Sequence, residues 1–224
     1  MSLSSASEHE TEQIGLSVAK SLYRRPLTVL LKGELGAGKT AFCRGLARGL
    51  GIEAPVASPT FALEQRYGDV LTHIDLYRLN RAQAEEFLAA SDDFPGIRLV
   101  EWAHRARWPD DGSARILIHI RETSQTDRVL TFTLSDVPVP RLSEIRAWLK
   151  QAHLPAHIRK HCAVVARVAG ACADDLLARG VFVRKRALIA AAHAHDLLRF
   201  VDFHAKAGKQ FPVPEPADFA VWQK

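Results

Sequence analysis

Eight consecutive residues, Gly33-Glu34-Leu35-Gly36-Ala37-Gly38-Lys39-Thr40, constrain this chain more than any other feature. They fill the pattern G-x-x-x-x-G-K-[ST] and stand between an apolar run, Thr28-Val29-Leu30-Leu31, and a helical stretch over about 39–50. A loop so placed joins a strand to a helix, which fixes the local fold as a unit of an α/β sheet. Its glycines let successive backbone N–H groups turn toward a polyphosphate, and the helix N-terminus adds partial positive charge. Lys39 then reaches the outer phosphates and the Thr40 hydroxyl is placed to ligate Mg²⁺. Strand, glycines, Lys-Thr pair and helix agree, which a chance glycine-rich turn would not require.

The remaining periodicity extends the same layer. Ser7 and Glu10 have the S-x-x-E spacing of a capping box and open an amphipathic pattern over 8–23. Strand or hairpin segments are expected at 61–63 and 70–75 around the Gly68-Asp69 turn, a short helix at 81–90, and strands at 97–101, 115–121 and 128–134. Beyond the linker-like Asp136-Val137-Pro138-Val139-Pro140, alanine and leucine at helical spacing predict helices over 143–151, 155–179 and 183–206, with Gly180 as a stop. The expected organisation is a P-loop NTPase-like sheet with flanking helices over 1–140, followed by a small α-helical segment over 141–224. The 224 residues suffice for both.

Composition excludes several classes. The three cysteines, Cys43, Cys162 and Cys172, are widely spaced without a C-x-x-C pair, which argues against a disulfide framework or a zinc ribbon and for a reducing, cytoplasmic setting. The N-terminus lacks a basic region followed by an apolar one, and no apolar run nears the roughly 20 residues that span a bilayer. Neither secretion nor membrane insertion is expected. The net charge of +5 is uneven, because residues 141–224 carry 14 Lys and Arg against seven acids. Such a basic segment fits either a polyanionic partner, tRNA among them, or a solvated helix surface.

Hydrolysis needs more than phosphate binding. Asp75 ends an apolar strand, where a carboxylate organises Mg²⁺, the alternative being a strand-end cap. Glu101 ends the next apolar strand and is a candidate to polarise water or contact the metal, against the alternative of a surface salt bridge. Thr60 lies in the loop after the P-loop helix, where nucleotide switches place a hydroxyl; a turn residue is the competing reading. The single asparagine, Asn80, precedes Arg-Ala-Gln rather than completing the guanine-reading N-K-x-D, which favours ATP over GTP.

The P-loop, Ser58-Pro59-Thr60-Phe61, His73-Ile74-Asp75-Leu76-Tyr77-Arg78-Leu79 and Glu101-Trp102 together resemble the bacterial tRNA threonylcarbamoyladenosine biosynthesis ATPase family, TsaE, over about residues 7–135. The resemblance implies a small Mg²⁺-dependent ATPase working with TsaB and TsaD to install t6A at adenosine 37 of tRNAs that read ANN codons. It meets tRNA through that complex, with no part for DNA or a membrane. By matching motif, Gly33 through Lys39 would hold phosphate, Thr40 and Asp75 would organise Mg²⁺, and Thr60 would lie in a switch-like loop. Lys39, Asp75 and Glu101 would then be the catalytic set, with Trp102 beside the nucleotide or simply in the core. The family continues Glu-Trp-Pro-Glu where this chain has Ala103-His104.

The helical tail lies outside that resemblance. His161 and the adjacent His195-Asp196 look like the first metal-binding elements of an HD-type phosphohydrolase, against the plainer reading of histidines at a polar seam. Asp202 stands too close for the usual completing aspartate, and Asp218 is a remote substitute. Two other activities stay open: a P-loop kinase acting on a small molecule, and a metal phosphohydrolase regulated by the N-terminal domain.

Overall fold

The computed structural model describes residues 1–22, 26–91, 93–152 and 154–197. The chain forms two compact units, one comprising Met1–Pro138 with Leu176–Val183, the other Val139–Asp175 with Arg184–Lys224.

The first unit is built on a seven-stranded sheet. Its strands are β1 (Ser2–Ser5), β2 (Leu27–Lys32), β3 (Glu64–Tyr67), β4 (Leu71–Asp75), β5 (Ile97–Glu101), β6 (Arg115–Glu122) and β7 (Arg128–Leu134), in the order β1-β7-β6-β2-β5-β4-β3. The middle four, β6, β2, β5 and β4, run parallel, and antiparallel partners close both sides. Parallel strands need both faces covered, and the sequence supplies this: Val29, Leu31, Leu71, Ile97 and Leu99 face one apolar layer, while Leu30, Ile74 and Val100 face the other. Helices α1 (Glu8–Ala19) and α2 (Lys39–Gly49) contribute Ile14, Val18, Phe42 and Leu46 to the first layer. Helix α3 (Arg81–Ala90) contributes Ala84 and Leu88 to the second.

Local chemistry sets the helix ends. Ser7 Oγ accepts the Glu10 N–H at 3.1 Å, and the Glu10 carboxylate accepts the Ala6 N–H at 2.7 Å, one residue earlier than a standard capping box. Asn80 and Gln83 form the reciprocal box on α3. Helices α1 and α2 cross at their glycines: a Cβ on Gly45 would lie 1.9 Å from the Glu12 carbonyl oxygen, and one on Gly15 would lie 2.4 Å from that of Phe42. Only hydrogen fits at that crossing, so the P-loop helix is pinned against α1.

Two local expectations change, and one strand is added to those expected. Residues 61–63 do not form a strand: the Leu63 N–H closes a turn on the Pro59 carbonyl, Leu63 has φ 65°, and pairing with β4 begins at Glu64. Helix α1 ends at Ala19, before the expected end at 23. The polar segment Ser2–Ser5 is a strand because β7 supplies a complete antiparallel partner, Ser2 opposite Thr131 through Ser5 opposite Arg128.

The second unit contains α4 (Leu142–Gln151), most of α5 (Ala156–Ala178) and α6 (Lys185–Ala194). Its core gathers Ile145, Leu149, Ala152, Leu154 and Ala190. Gly180, at φ 75°, provides the stop after α5, where Val181 N–H returns to the Leu176 carbonyl. The expected helix over 183–206 spans Lys185–Ala194 within the described residues, and its last part lies outside them. Among the described residues, no helix is long and apolar enough to cross a membrane.

Candidate functional site

Parallel pairing brings the carboxylates together. Asp75 and Glu101 are the last residues of adjacent strands and stand opposite each other in register, beside the strand that ends in the P-loop. Gly38 takes φ 96°, a left-handed turn that side chains rarely adopt, and α2 starts at Lys39 immediately after it. The α2 N-terminus therefore opens onto the carboxyl ends of the parallel strands, where ligands bind in open α/β sheets.

A cleft of about 720 Å³ lies there, lined among others by Gly36, Lys39, Thr40, Asp75, Glu101 and Trp102. Lys39 is only 5% exposed; its Nζ donates to the carbonyls of Gly33 (3.0 Å) and Glu34 (2.8 Å) and sits 3.9 Å from the Trp102 ring centre. Burial lowers the Lys39 pKa, while the nearby Glu101 and Asp75 charges oppose that shift. An ammonium held in this way is short of anionic partners, and phosphate oxygens would supply them. Leu35, at the loop tip, is 74% exposed, and Ala37 is buried beneath it.

The two carboxylates are held differently. Asp75 is bound by the loop before it in space: Ser58 Oγ and Thr60 Oγ1 donate to Oδ2, the latter at 2.7 Å, and the Tyr77 N–H donates to Oδ1 at 2.8 Å. Thr60 thus meets the chemistry through Asp75. Glu101 is buried under α2, where Oε1 accepts from His73 Nε2 (3.0 Å), Thr40 Oγ1 (3.3 Å) and Cys43 Sγ (3.5 Å). Its carboxylate is therefore no surface salt bridge. The Cys43 thiol is pushed well above its ordinary pKa, first by burial and then by the Glu101 charge, so it is a proton donor here and not a thiolate. Thr40, Asp75 and Glu101 present hard oxygen atoms, the donor chemistry that suits Mg²⁺.

Trp102 follows Glu101 in a left-handed conformation, φ 60° and ψ 34°, uncommon for a bulky residue. It is 8% exposed, packs in the α3-side core, stacks on Tyr77 at 4.7 Å and lies under the Lys39 ammonium. Its place in the core and its place beside the P-loop are thus the same place. Immediately beyond, Ala103–Arg105 form one turn of 3-10 helix.

Sequence reasoning gave no role to His73, Cys43, Ser58 or Arg128. The first three flank assigned residues in the chain, so strand alternation and loop spacing hold the signal for them. Arg128 has none: it reaches the cleft from the β6–β7 hairpin, its Nη1 held by the carbonyls of Ser124, Gln125 and Asp127.

In the second unit, His161 on α5 meets His195 and Asp196 at the end of α6. Asp196 Oδ2 is 3.4 Å from His195 Nε2 and 3.8 Å from His161 Nε2, and the two rings meet edge to face at 5.3 Å. One ligand atom from each residue lies within 4.8 Å of the others, and Asp196 is buried. Asp202 and Asp218 lie outside the described residues.

The family model described as "Threonylcarbamoyl adenosine biosynthesis protein TsaE" matches residues 5–130. Among curated relatives named tRNA threonylcarbamoyladenosine biosynthesis protein TsaE, that of Synechocystis sp. is 45% identical over 105 residues, covering 42% of this chain and 65% of that protein. The Bacillus subtilis protein is 39% identical over 117 residues, covering 50% and 72%, and the Nostoc sp. protein 32% over 143 residues, covering 59% and 88%. Among solved structures, the crystal structure of Bacillus subtilis YdiB is 31% identical with a TM-score of 0.48, covering 60% of this chain and 85% of that one.

Proposed function

Because the chain belongs to the TsaE family of threonylcarbamoyl adenosine biosynthesis proteins, we propose that it serves tRNA t6A biosynthesis as an ATP hydrolase, in a complex with TsaB and TsaD. Its relatives carry the tRNA pathway in their names. The observation that carries the chemical part is the convergence, on one cleft at the strand ends, of the P-loop, Thr40, Asp75 and Glu101. A backbone cradle, a cation for the outer phosphates, oxygen ligands and a buried carboxylate in one cleft support phosphoryl transfer once Mg²⁺ and nucleotide are bound.

Backbone N–H groups of 33–40 would cradle the polyphosphate, and Lys39 would exchange the carbonyls of Gly33 and Glu34 for phosphate oxygens. Thr40 and Asp75 would hold Mg²⁺, which when bound neutralises developing phosphate charge. Ser58 and Thr60 bind the Asp75 carboxylate, so the switch-like loop and the metal-organising residue act as one piece. Glu101, held by donors on Oε1, would orient the attacking water. Phosphate release by the purified chain, and rescue of t6A in a bacterium depleted of its own TsaE, test this reading. Lys39→Ala abolishes both. Release of phosphate at equal rates by wild type and variant contradicts it, and phosphorylated small-molecule product in excess of free phosphate favours the kinase.

A second reading concerns the helical unit. The approach of His161, His195 and Asp196 supports a divalent-metal site of the HD type, where a bound ion would activate water. Metal analysis of the full chain before and after His195→Ala tests it: bound metal lost in the variant supports the site, and an unchanged or absent metal content rejects it.

A further inference from the structure

His73 sits where strand alternation calls for an apolar side chain. It follows Leu71 on the face of β4 that packs beneath α2, and both residues are fully buried. An imidazole there gives up solvation on both nitrogens. Nε2 is repaid by the Glu101 carboxylate at 3.0 Å, whereas Nδ1 has no hydrogen-bond partner among the described residues. A residue introduced only to fill the core would be an aliphatic one of similar size. The strands show why this one is polar: in the β4–β5 register His73 lies opposite Leu99, two residues before Glu101 on the same face.

From this we infer that His73 is the positioning residue for Glu101. A carboxylate only accepts, so the ring donates through Nε2–H. Among the described residues, three donors, His73, Thr40 and Cys43, converge on Oε1, while Oε2 has only the 3.5 Å contact from Thr40. His73 is the closest of the three and is fixed to the sheet, whereas Thr40 belongs to the loop that must engage nucleotide. His73 therefore keeps Oε1 anchored when Thr40 turns to the metal, and leaves Oε2 to face the cleft. The inference rests on the hydrolytic reading given above and deepens it: Glu101 acts on water, and His73 acts only through Glu101.

The test is steady-state ATP hydrolysis and ATP binding by the full chain carrying His73→Leu, His73→Gln, Glu101→Gln and the double variant His73→Leu/Glu101→Gln. His73→Leu is expected to lower kcat by between about 10- and 100-fold while KM and ATP affinity change less than about twofold, since a misplaced group costs rate and not ground-state binding. His73→Gln, whose amide can donate at the position of Nε2, is expected to recover most of that loss. In the Glu101→Gln background His73→Leu adds no further loss, because the two act as one unit. A His73→Leu enzyme with wild-type kcat overturns the inference, as does a loss that multiplies fully with Glu101→Gln. Should His73→Leu fail to fold by circular dichroism, His73→Gln decides: wild-type KM with no more than a severalfold fall in kcat supports the inference, and a changed KM or ATP affinity overturns it. A wild-type chain that turns over no ATP removes the hydrolytic reading, and this one with it. Normal wild-type turnover with an indifferent His73 removes this one alone.

Discussion

The nucleotide cleft and the histidine cluster of the helical unit are built by opposite means. In the cleft, side chains come from the ends of strands held in register, and their neighbours hold them: Asp75 receives three donors and Glu101 another three. In the helical unit, His161, His195 and Asp196 come from two helices, the histidines are partly exposed, and Asp196 alone is buried. A strand end fixes the backbone of a carboxylate by pairing it with its neighbour, Asp75 opposite Glu101, and adjacent side chains then orient its oxygens. A site between helices depends on side-chain packing alone. The difference teaches that the first unit holds its carboxylates by hydrogen bonds from neighbouring side chains, while the second sets two exposed histidines beside one buried aspartate, an arrangement that an ion would order on the metal reading proposed above.

The largest effect expected of any single change is at Lys39. Lys39→Met removes the charged hydrogen bonds to phosphate, lowering ATP affinity by about 10- to 100-fold by calorimetry. The same change does not lower the thermal midpoint of the nucleotide-free chain at neutral pH. Burial depresses the Lys39 pKa, so its penalty is fully in force below the folded value and fades only as pH rises toward 10.5. A fall in midpoint on removing the ammonium would show that the P-loop is not held under that penalty.

Next comes Asp75. Asp75→Ala frees Ser58 and Thr60 as well as removing a metal ligand, so turnover falls by about 10²-fold and amide exchange at 58–63 accelerates. Unchanged exchange in that loop would separate the switch from the carboxylate. Gly45→Ala, which places a Cβ against the Glu12 backbone, costs about 1–3 kcal/mol of stability in urea denaturation. The smallest effect on ATP turnover belongs to the other unit: Asp196→Ala leaves kcat within about twofold while lowering bound metal. A large loss of turnover would break the contrast by coupling the two sites.

Much of the first unit was legible in local pattern. Lys39, Thr40, Asp75 and Glu101 each sit at the junction of an apolar run and a turn, and such junctions are where a parallel sheet places its chemistry. Thr60 was legible from its loop position after the P-loop helix, and the family resemblance added Trp102. What stayed hidden was pairing between distant segments. Ser2–Ser5 reads as a polar tail until β7 pairs with it, and Arg128 enters the cleft from a hairpin far along the chain. Phe61-Ala62-Leu63 reads as a strand by composition, yet the Pro59 carbonyl and the backbone of Leu63 form a turn that sets Thr60 against Asp75. His73 looked like one more strand residue because its partner, Glu101, is recruited by register and not by spacing. In the helical unit, His161 and His195-Asp196 were legible as helical histidines, and their meeting depends on how α5 and α6 pack.

The central claim is that the turn after β2, with the ends of β4 and β5, holds a nucleoside triphosphate. Titration calorimetry of the full chain with ATP and Mg²⁺ tests it most directly, with Lys39→Ala alongside. Saturable binding of one ATP per chain, weakened at least about 10-fold in the variant, is the predicted result. No heat with the wild-type chain, or equal affinity in both proteins, would contradict it.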